Sequence, residues 1–125
     1  MIRAIVIGLG NMGLSHALAL HAAEEVEVVA LVNRSPRTLP KELKNYQFLS
    51  DIDEAFALAP NLVIIATYSE SHAPLAIRAM ESGAHVFVEK PLATTVADAR
   101  AVVDTAARLN RKLVVGYILR HHPSW

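Results

Sequence analysis

At 125 residues the chain is long enough for one domain around one hydrophobic core, which at this size buries about two-thirds of the unfolded surface. Apolar residues make up 53% and charged residues 19%, and 12 basic side chains balance 12 acidic ones, a composition that argues against a disordered segment, a nucleic-acid partner or a charged tail. The absence of cysteine excludes disulfides, thiolate metal sites and a cysteine nucleophile and suits a cytoplasmic protein, while the N-terminal apolar run is too short for a membrane span and unlike a signal peptide.

The chain opens on Ile2-Arg3-Ala4-Ile5-Val6-Ile7, a strand-like run, and continues straight into Gly8-Leu9-Gly10-Asn11-Met12-Gly13. Glycines at this spacing between a strand and a helix form a cradle for the diphosphate of a dinucleotide. Gly8 allows the tight turn, Gly10 the close approach of main chain to phosphate, and Gly13 the packing of helix on strand. The helix near 11–22 then aims its free N–H groups and positive dipole end at the anion. Residues 8–13 are therefore the first candidate cofactor contacts. His16 and His21 on that helix read as solvent-facing or partly packed.

Further strand-like runs near 26–32, 46–48, 62–66, 85–88 and 112–116 alternate with helix-period segments near 37–44, 52–58, 70–82 and 95–109. The strands are short, apolar on both faces and rich in Val and Ile, which is the pattern of a parallel sheet covered on both sides. Right-handed crossovers make this an α/β chain of Rossmann type, a doubly wound parallel sheet of about six strands. Ser50 or Asp51 is the expected cap of the third helix, and Ser82-Gly83 the end of the fourth. Thr94 or Thr95 caps the fifth, whose Ala97, Ala101, Val102, Thr105 and Leu109 fall on one stripe.

Ligands of such sheets bind beyond the carboxyl ends of the strands. After the second strand stands Asn33-Arg34-Ser35. Position 33 lies about twenty residues past the last glycine, where a carboxylate holds the ribose 2′-OH of NAD. Asn33 is neutral and does not repel a 2′-phosphate, and Arg34 supplies a permanent charge and a planar face for adenine. With Ser35 and Arg37 as further candidate phosphate contacts, these residues favour NADP over NAD. The loop Ala66-Thr67-Tyr68-Ser69-Glu70-Ser71-His72 follows the fourth strand and would pass the nicotinamide-side ribose, with Thr67 and Tyr68 as contacts. Ser69 reads as a helix cap and not as a nucleophile. His72, in the first turn of a helix that starts at the crevice, reads either as a contact to cofactor or substrate or as a polar residue facing solvent.

His85-Val86-Phe87-Val88 runs directly into Glu89-Lys90-Pro91. Two opposite charges at the tip of a buried strand must meet each other, solvent or a ligand. Lys90 there can donate a hydrogen bond or a proton to a substrate oxygen, with Glu89 orienting it. The plain alternative is an ordinary surface salt bridge. Further on, His121 and His122 have no carboxylate cluster beside them, so no metal site is expected. Ile118, Leu119 and Trp125 read as an apolar docking patch.

Taken in order, five stretches resemble one family: Gly8 to Gly13, the Thr67-to-His72 loop, Ser82-Gly83-Ala84-His85-Val86, Glu89-Lys90-Pro91-Leu92, and Val115-Gly116-Tyr117 with Arg120 and Pro123. It is the glucose–fructose oxidoreductase / inositol dehydrogenase / rhizopine-catabolism family (Gfo/Idh/MocA), and the resemblance covers nearly the whole chain, with Glu-Lys-Pro its most specific element. The resemblance implies an NAD(P)-dependent oxidoreductase that moves a hydride between its cofactor and a sugar, cyclitol or related polyol. It implies a Rossmann domain at 1–118, with 119–125 starting a connection to a substrate domain absent from this chain, and a homo-oligomer, dimer or tetramer, in the full-length form. It sets Lys90 beside the substrate hydroxyl and the nicotinamide, Arg120 in a segment lining the cofactor crevice, and a cis bond at Lys90-Pro91. The family's Asp-x-x-x-His motif, which supplies the general acid/base, belongs to the second domain, so these 125 residues are expected to bind a dinucleotide and turn over little. One departure is Tyr68, where the family usually has proline soon after the loop's threonine or serine. A stand-alone, non-catalytic nucleotide-binding or sensor module is the alternative. A methyl-donor-binding protein is a third reading, against which Glu89-Lys90-Pro91 and Arg34 argue.

Overall fold

The chain's computed structural model describes residues 1–116. Six strands, β1 (Ile2–Ile7), β2 (Val26–Val32), β3 (Phe48–Leu49), β4 (Leu62–Ile65), β5 (His85–Glu89) and β6 (Leu113–Gly116), pair in parallel in the order β3-β2-β1-β4-β5-β6. This is the Rossmann order, and its switch point lies between β1 and β4, at the tip of the glycine turn.

Both faces of the sheet carry a packed core, and the alternation along each strand decides which side chain goes where. Ile5, Ile7, Val63, Ile65, Val86 and Val88 share one core with Ala55 of α2 (Ile52–Ala57), Ala76 and Met80 of α3 (His72–Glu81) and Val102 of α4 (Val96–Leu109). Val6, Ile64, Leu9 and Leu31 form the other core with Ala17 of α1 (Asn11–Ala22). Each Ile, Leu, Val or Met among them contributes about 1.5–3 kcal/mol when fully buried. The sheet is thereby fixed as a rigid platform for the loops at its carboxyl edge.

Four local expectations change. Residues 37–44 form no α-helix, only a 3₁₀ turn at Lys41–Leu43. Pro36 and Pro40 restrict the segment, and a proline disfavours helix in the residue before it. The third strand is Phe48–Leu49, not 46–48, because Leu49 has to enter one core and Phe48 the other. Ser69 caps nothing: it opens a 3₁₀ turn, Ser69–Ser71, and α3 starts at His72 without a side-chain cap. On α4 the inward stripe is Ala99, Val102, Thr105, Ala106 and Leu109, while Ala97 and Ala101 are exposed. Asp51 caps α2 by accepting from the Asp53 N–H at 2.8 Å, and Thr95 caps α4 by accepting from the Asp98 N–H at 3.1 Å. Gly83 ends α3 at φ +102°, and the Lys90–Pro91 peptide bond is cis. Among the described residues no helix is long and apolar enough to cross a membrane.

Candidate functional site

The glycine turn shows which of its residues the fold itself requires. Gly8 has φ +94°, and a Cβ there would stand 2.5 Å from the Ala66 carbonyl oxygen. A Cβ at Gly13 would stand 1.8 Å from the Gly8 carbonyl oxygen, so α1 touches β1 at this point. Gly10 differs from both. Its φ is −72°, open to any residue, and a Cβ on it would meet nothing within 4 Å. Packing among the described residues does not require a glycine there. Gly10 is also the N-cap of α1 and makes no side-chain capping bond, and the first turn holds no acidic residue. The first N–H groups of the helix are left for an anion.

A cavity of about 650 Å³ runs along this turn. That is within the range of small-molecule and cofactor sites. Its walls include the tips of four strands, with Gly8, Leu9 and Gly10 after β1, Asn33, Arg34 and Ser35 after β2, Ser50 after β3, and Thr67 and Tyr68 after β4. Asn33 Oδ1 accepts from the Leu9 N–H at 2.9 Å, and Asn33 Nδ2 donates to the Ser35 carbonyl at 2.8 Å. One amide thus fastens the cradle to the end of β2. Arg34 sits 5.7 Å from the centroid of the Tyr68 ring and donates to its hydroxyl at 3.3 Å. Tyr68 has φ −71° and ψ 156°, the backbone a proline would adopt. A proline would fit the same backbone, and the tyrosine sets an aromatic ring beside the guanidinium.

The loop after β4 is tied internally. Ser71 Oγ donates to the Tyr68 carbonyl at 2.7 Å, so in the Thr67–Ser71 hydroxyl contact Thr67 is the donor. His72 is 1% exposed, which removes the solvent-facing alternative. Its Nδ1 meets the Pro91 carbonyl at 2.7 Å and its Nε2 the Thr67 carbonyl at 2.9 Å. It is not a wall of the cavity; it joins the cavity loop to the segment after Lys90.

At the tip of β5 the two charges part company. The Glu89 carboxylate is hydrogen-bonded to His16 of α1, not to Lys90. Lys90 is exposed and makes no ion pair among the described residues. Asn11, Met12, Gly13, Glu89 and Lys90 do not wall the cavity, and neither does Arg37. Arg120, His121, His122 and the apolar residues Ile118, Leu119 and Trp125 lie outside the described residues. Sequence reasoning missed Ser50, Ile52, Glu70, Pro74 and Leu75, all on the cavity wall. Ser50 follows β3 directly, so the rule that ligands gather past strand ends could have found it. No local signal marks Pro74 or Leu75, which arrive there with α3.

Residues 2–117 match the model of an oxidoreductase family with an NAD-binding Rossmann fold. The chain is 34% identical over 128 residues to a glycosyl hydrolase family 109 protein of Shewanella pealeana, a match that covers 91% of this chain and 28% of that protein. Among solved structures, GenD2 from gentamicin A biosynthesis in complex with NAD has a TM-score of 0.85 at 30% identity, over 92% of this chain and 34% of that one. Scyllo-inositol dehydrogenase from Lactobacillus casei, with bound NAD(H) and scyllo-inositol, has a TM-score of 0.87 at 25% identity, over 99% of this chain and 38% of that one. The chain therefore spans less than two-fifths of the length of each of these proteins.

Proposed function

The chain belongs to the Gfo/Idh/MocA oxidoreductase family, and from that premise we propose that it is the cofactor-binding part of an enzyme that transfers a hydride between a nicotinamide dinucleotide and a carbinol carbon of a sugar, cyclitol or related polyol. The observation that carries the reading is the empty flank of Gly10 inside a cavity walled by four strand tips. Nothing in the packing of the described residues needs glycine there, and a diphosphate does. When bound, the nicotinamide supplies the hydride acceptor. The chain's residues do the rest. Gly10 and the first N–H groups of α1 hold the diphosphate, Asn33 and Arg34 take the adenosine ribose and adenine, and Thr67 and Tyr68 flank the path toward the nicotinamide. Lys90 offers its ammonium to the substrate oxygen and stabilises the charge that develops there. Glu89 and His72 support the nicotinamide end from behind in this reading, Glu89 through His16 and His72 through the carbonyls of Thr67 and Pro91, Arg120 completes it, and residues 1–118 form the dinucleotide-binding domain of a longer, cytoplasmic, homo-oligomeric protein.

For the cofactor we propose NADP ahead of NAD. Asn33 carries no charge against a 2′-phosphate, and the exposed Arg34 stands on the cavity wall beside it. Parallel titration of NADPH and NADH into the purified chain tests this. Tighter binding of NADPH is expected, and equal or tighter NADH binding would reverse the preference. Binding of neither overturns the cofactor reading itself.

The 34% identity to a glycosyl hydrolase family 109 protein favours one second reading, glycoside cleavage by a protein that keeps its nicotinamide and returns it unchanged. Glycosidases that depend on NAD exist outside the two-carboxylate mechanisms. In the longer protein a dehydrogenase reduces one free cofactor per substrate oxidised, whereas a glycosidase releases sugar with no net reduction. Absorbance of reduced nicotinamide against released sugar separates them.

A further inference from the structure

We propose that His16 is a positioning residue that fastens the lysine-bearing tip of β5 to the cradle helix, so that a filled diphosphate cradle steadies Glu89-Lys90. The proposal rests on the cofactor reading above. His16 lies on α1 three residues beyond Gly13, on the same helix face. Gly13 packs against Gly8 and Ala66 at the ends of β1 and β4, and the imidazole on the same face reaches over β5. It stands edge-on to Phe87, with ring centroids 4.9 Å apart and planes at 62°. Its Nε2 is hydrogen-bonded to Glu89 Oε1. Phe87 and Glu89 are alternate residues of β5 and face the same side.

The Glu89 carboxylate has little room elsewhere. A Cβ at Gly116 of β6 would lie 3.0 Å from Glu89 Oε2 and 3.2 Å from its Cδ, so β6 closes on the carboxylate from the side opposite β4. The Glu89 side chain is 12% exposed and that of His16 is 24% exposed. A carboxylate this enclosed is unfavourable without a donor, and a charged hydrogen bond this sheltered is stronger and less screened than a surface one. His16 is its side-chain donor among the described residues.

Two consequences follow for the site. Glu89 is held by α1, and Lys90 is left free of its neighbour's charge. The cradle and the β5 tip share no wall of the cavity, so the His16–Glu89 bond is a direct tie between them. Order imposed on α1 by an anion at its first turn is then passed to the tip that carries Lys90.

Hydrogen exchange with ADP as the probe tests the tie, because ADP has the diphosphate and lacks the nicotinamide that would touch the tip directly. In the wild-type chain ADP is expected to slow exchange at the cradle amides, residues 9–14, and also at residues 88–90. His16→Ala is expected to keep the slowing at the cradle and lose it at the tip. His16→Gln, which retains an N–H donor, restores part of it. Should His16→Ala fold poorly, Glu89→Gln removes the charge from the same bond and is expected to weaken the tip response with the cradle response intact. Slowing at the tip that is absent in the wild type, or unchanged in both variants, overturns the proposal. No slowing at the cradle overturns the cofactor reading, and this proposal with it.

Discussion

The glycines of the first turn separate folding from function residue by residue. Gly13→Ala forces a methyl group onto the Gly8 carbonyl, and overpacking of this kind costs about 1–3 kcal/mol or more. Gly10→Ala meets no atom, so its loss is at most the cost of alanine at an N-cap, about 1 kcal/mol. Cofactor affinity is expected to fall by an order of magnitude or more in Gly10→Ala, about 1.4 kcal/mol per tenfold. Urea unfolding and a cofactor titration on the two variants check both halves of this contrast. Equal affinity in Gly10→Ala and wild type would remove the diphosphate from this turn. Asn33→Asp makes a second test at the same scale. Its carboxylate can still accept from Leu9, but it no longer donates to Ser35, and it sets a charge where a 2′-phosphate would come. The ratio of NADPH to NADH affinity is expected to drop about tenfold or more in that variant.

At the scale of elements, strand and helix identity could be read where periodicity and burial agree. β1, α1, β2 and α4 stand within a residue of their expected bounds because each carries a largely apolar face. The segment 37–44 failed because spacing alone suggested a helix, while two prolines and a single buried anchor, Leu43, leave only one 3₁₀ turn. The cradle and the polar turn after β2 were legible because a local motif defines them. The site's long-range ties were not. His72 bonds to the main-chain carbonyl of Pro91, 19 positions on, and His16 to a carboxylate 73 positions away, contacts that exist only once the sheet order is set. Capping belongs to this scale as well. Thr95→Ala removes the bond to the Asp98 N–H and is expected to lower stability by about 0.5–2 kcal/mol. Since α4 adds no wall to the cavity, cofactor affinity should stay unchanged in that variant. A joint loss of stability and affinity would mean that α4 shapes the site after all.

For the whole molecule the question is how much of a reaction 125 residues can carry. They hold a formed cavity, a cradle and a lysine, and they match 28% of the length of one curated relative and 38% of a dehydrogenase that binds NAD(H) and scyllo-inositol. Hydride transfer needs the substrate held within hydrogen-bond reach of its acid or base, in a place from which water is excluded. Lys90 is exposed. Around an ammonium in that position water competes with every substrate hydroxyl, and an alcohol that does arrive has no fixed orientation toward the cofactor. The rate advantage of orientation alone, about 7–11 kcal/mol in well-placed systems, is then forgone. The isolated chain is therefore expected to bind NADPH or NADH, seen as a change in nicotinamide fluorescence, and to give no steady cofactor reduction across a panel of sugars, cyclitols and polyols. Sustained turnover by the purified chain would mean that the sheet edge and Lys90 suffice to orient a substrate, and the need for a further wall would have to be given up.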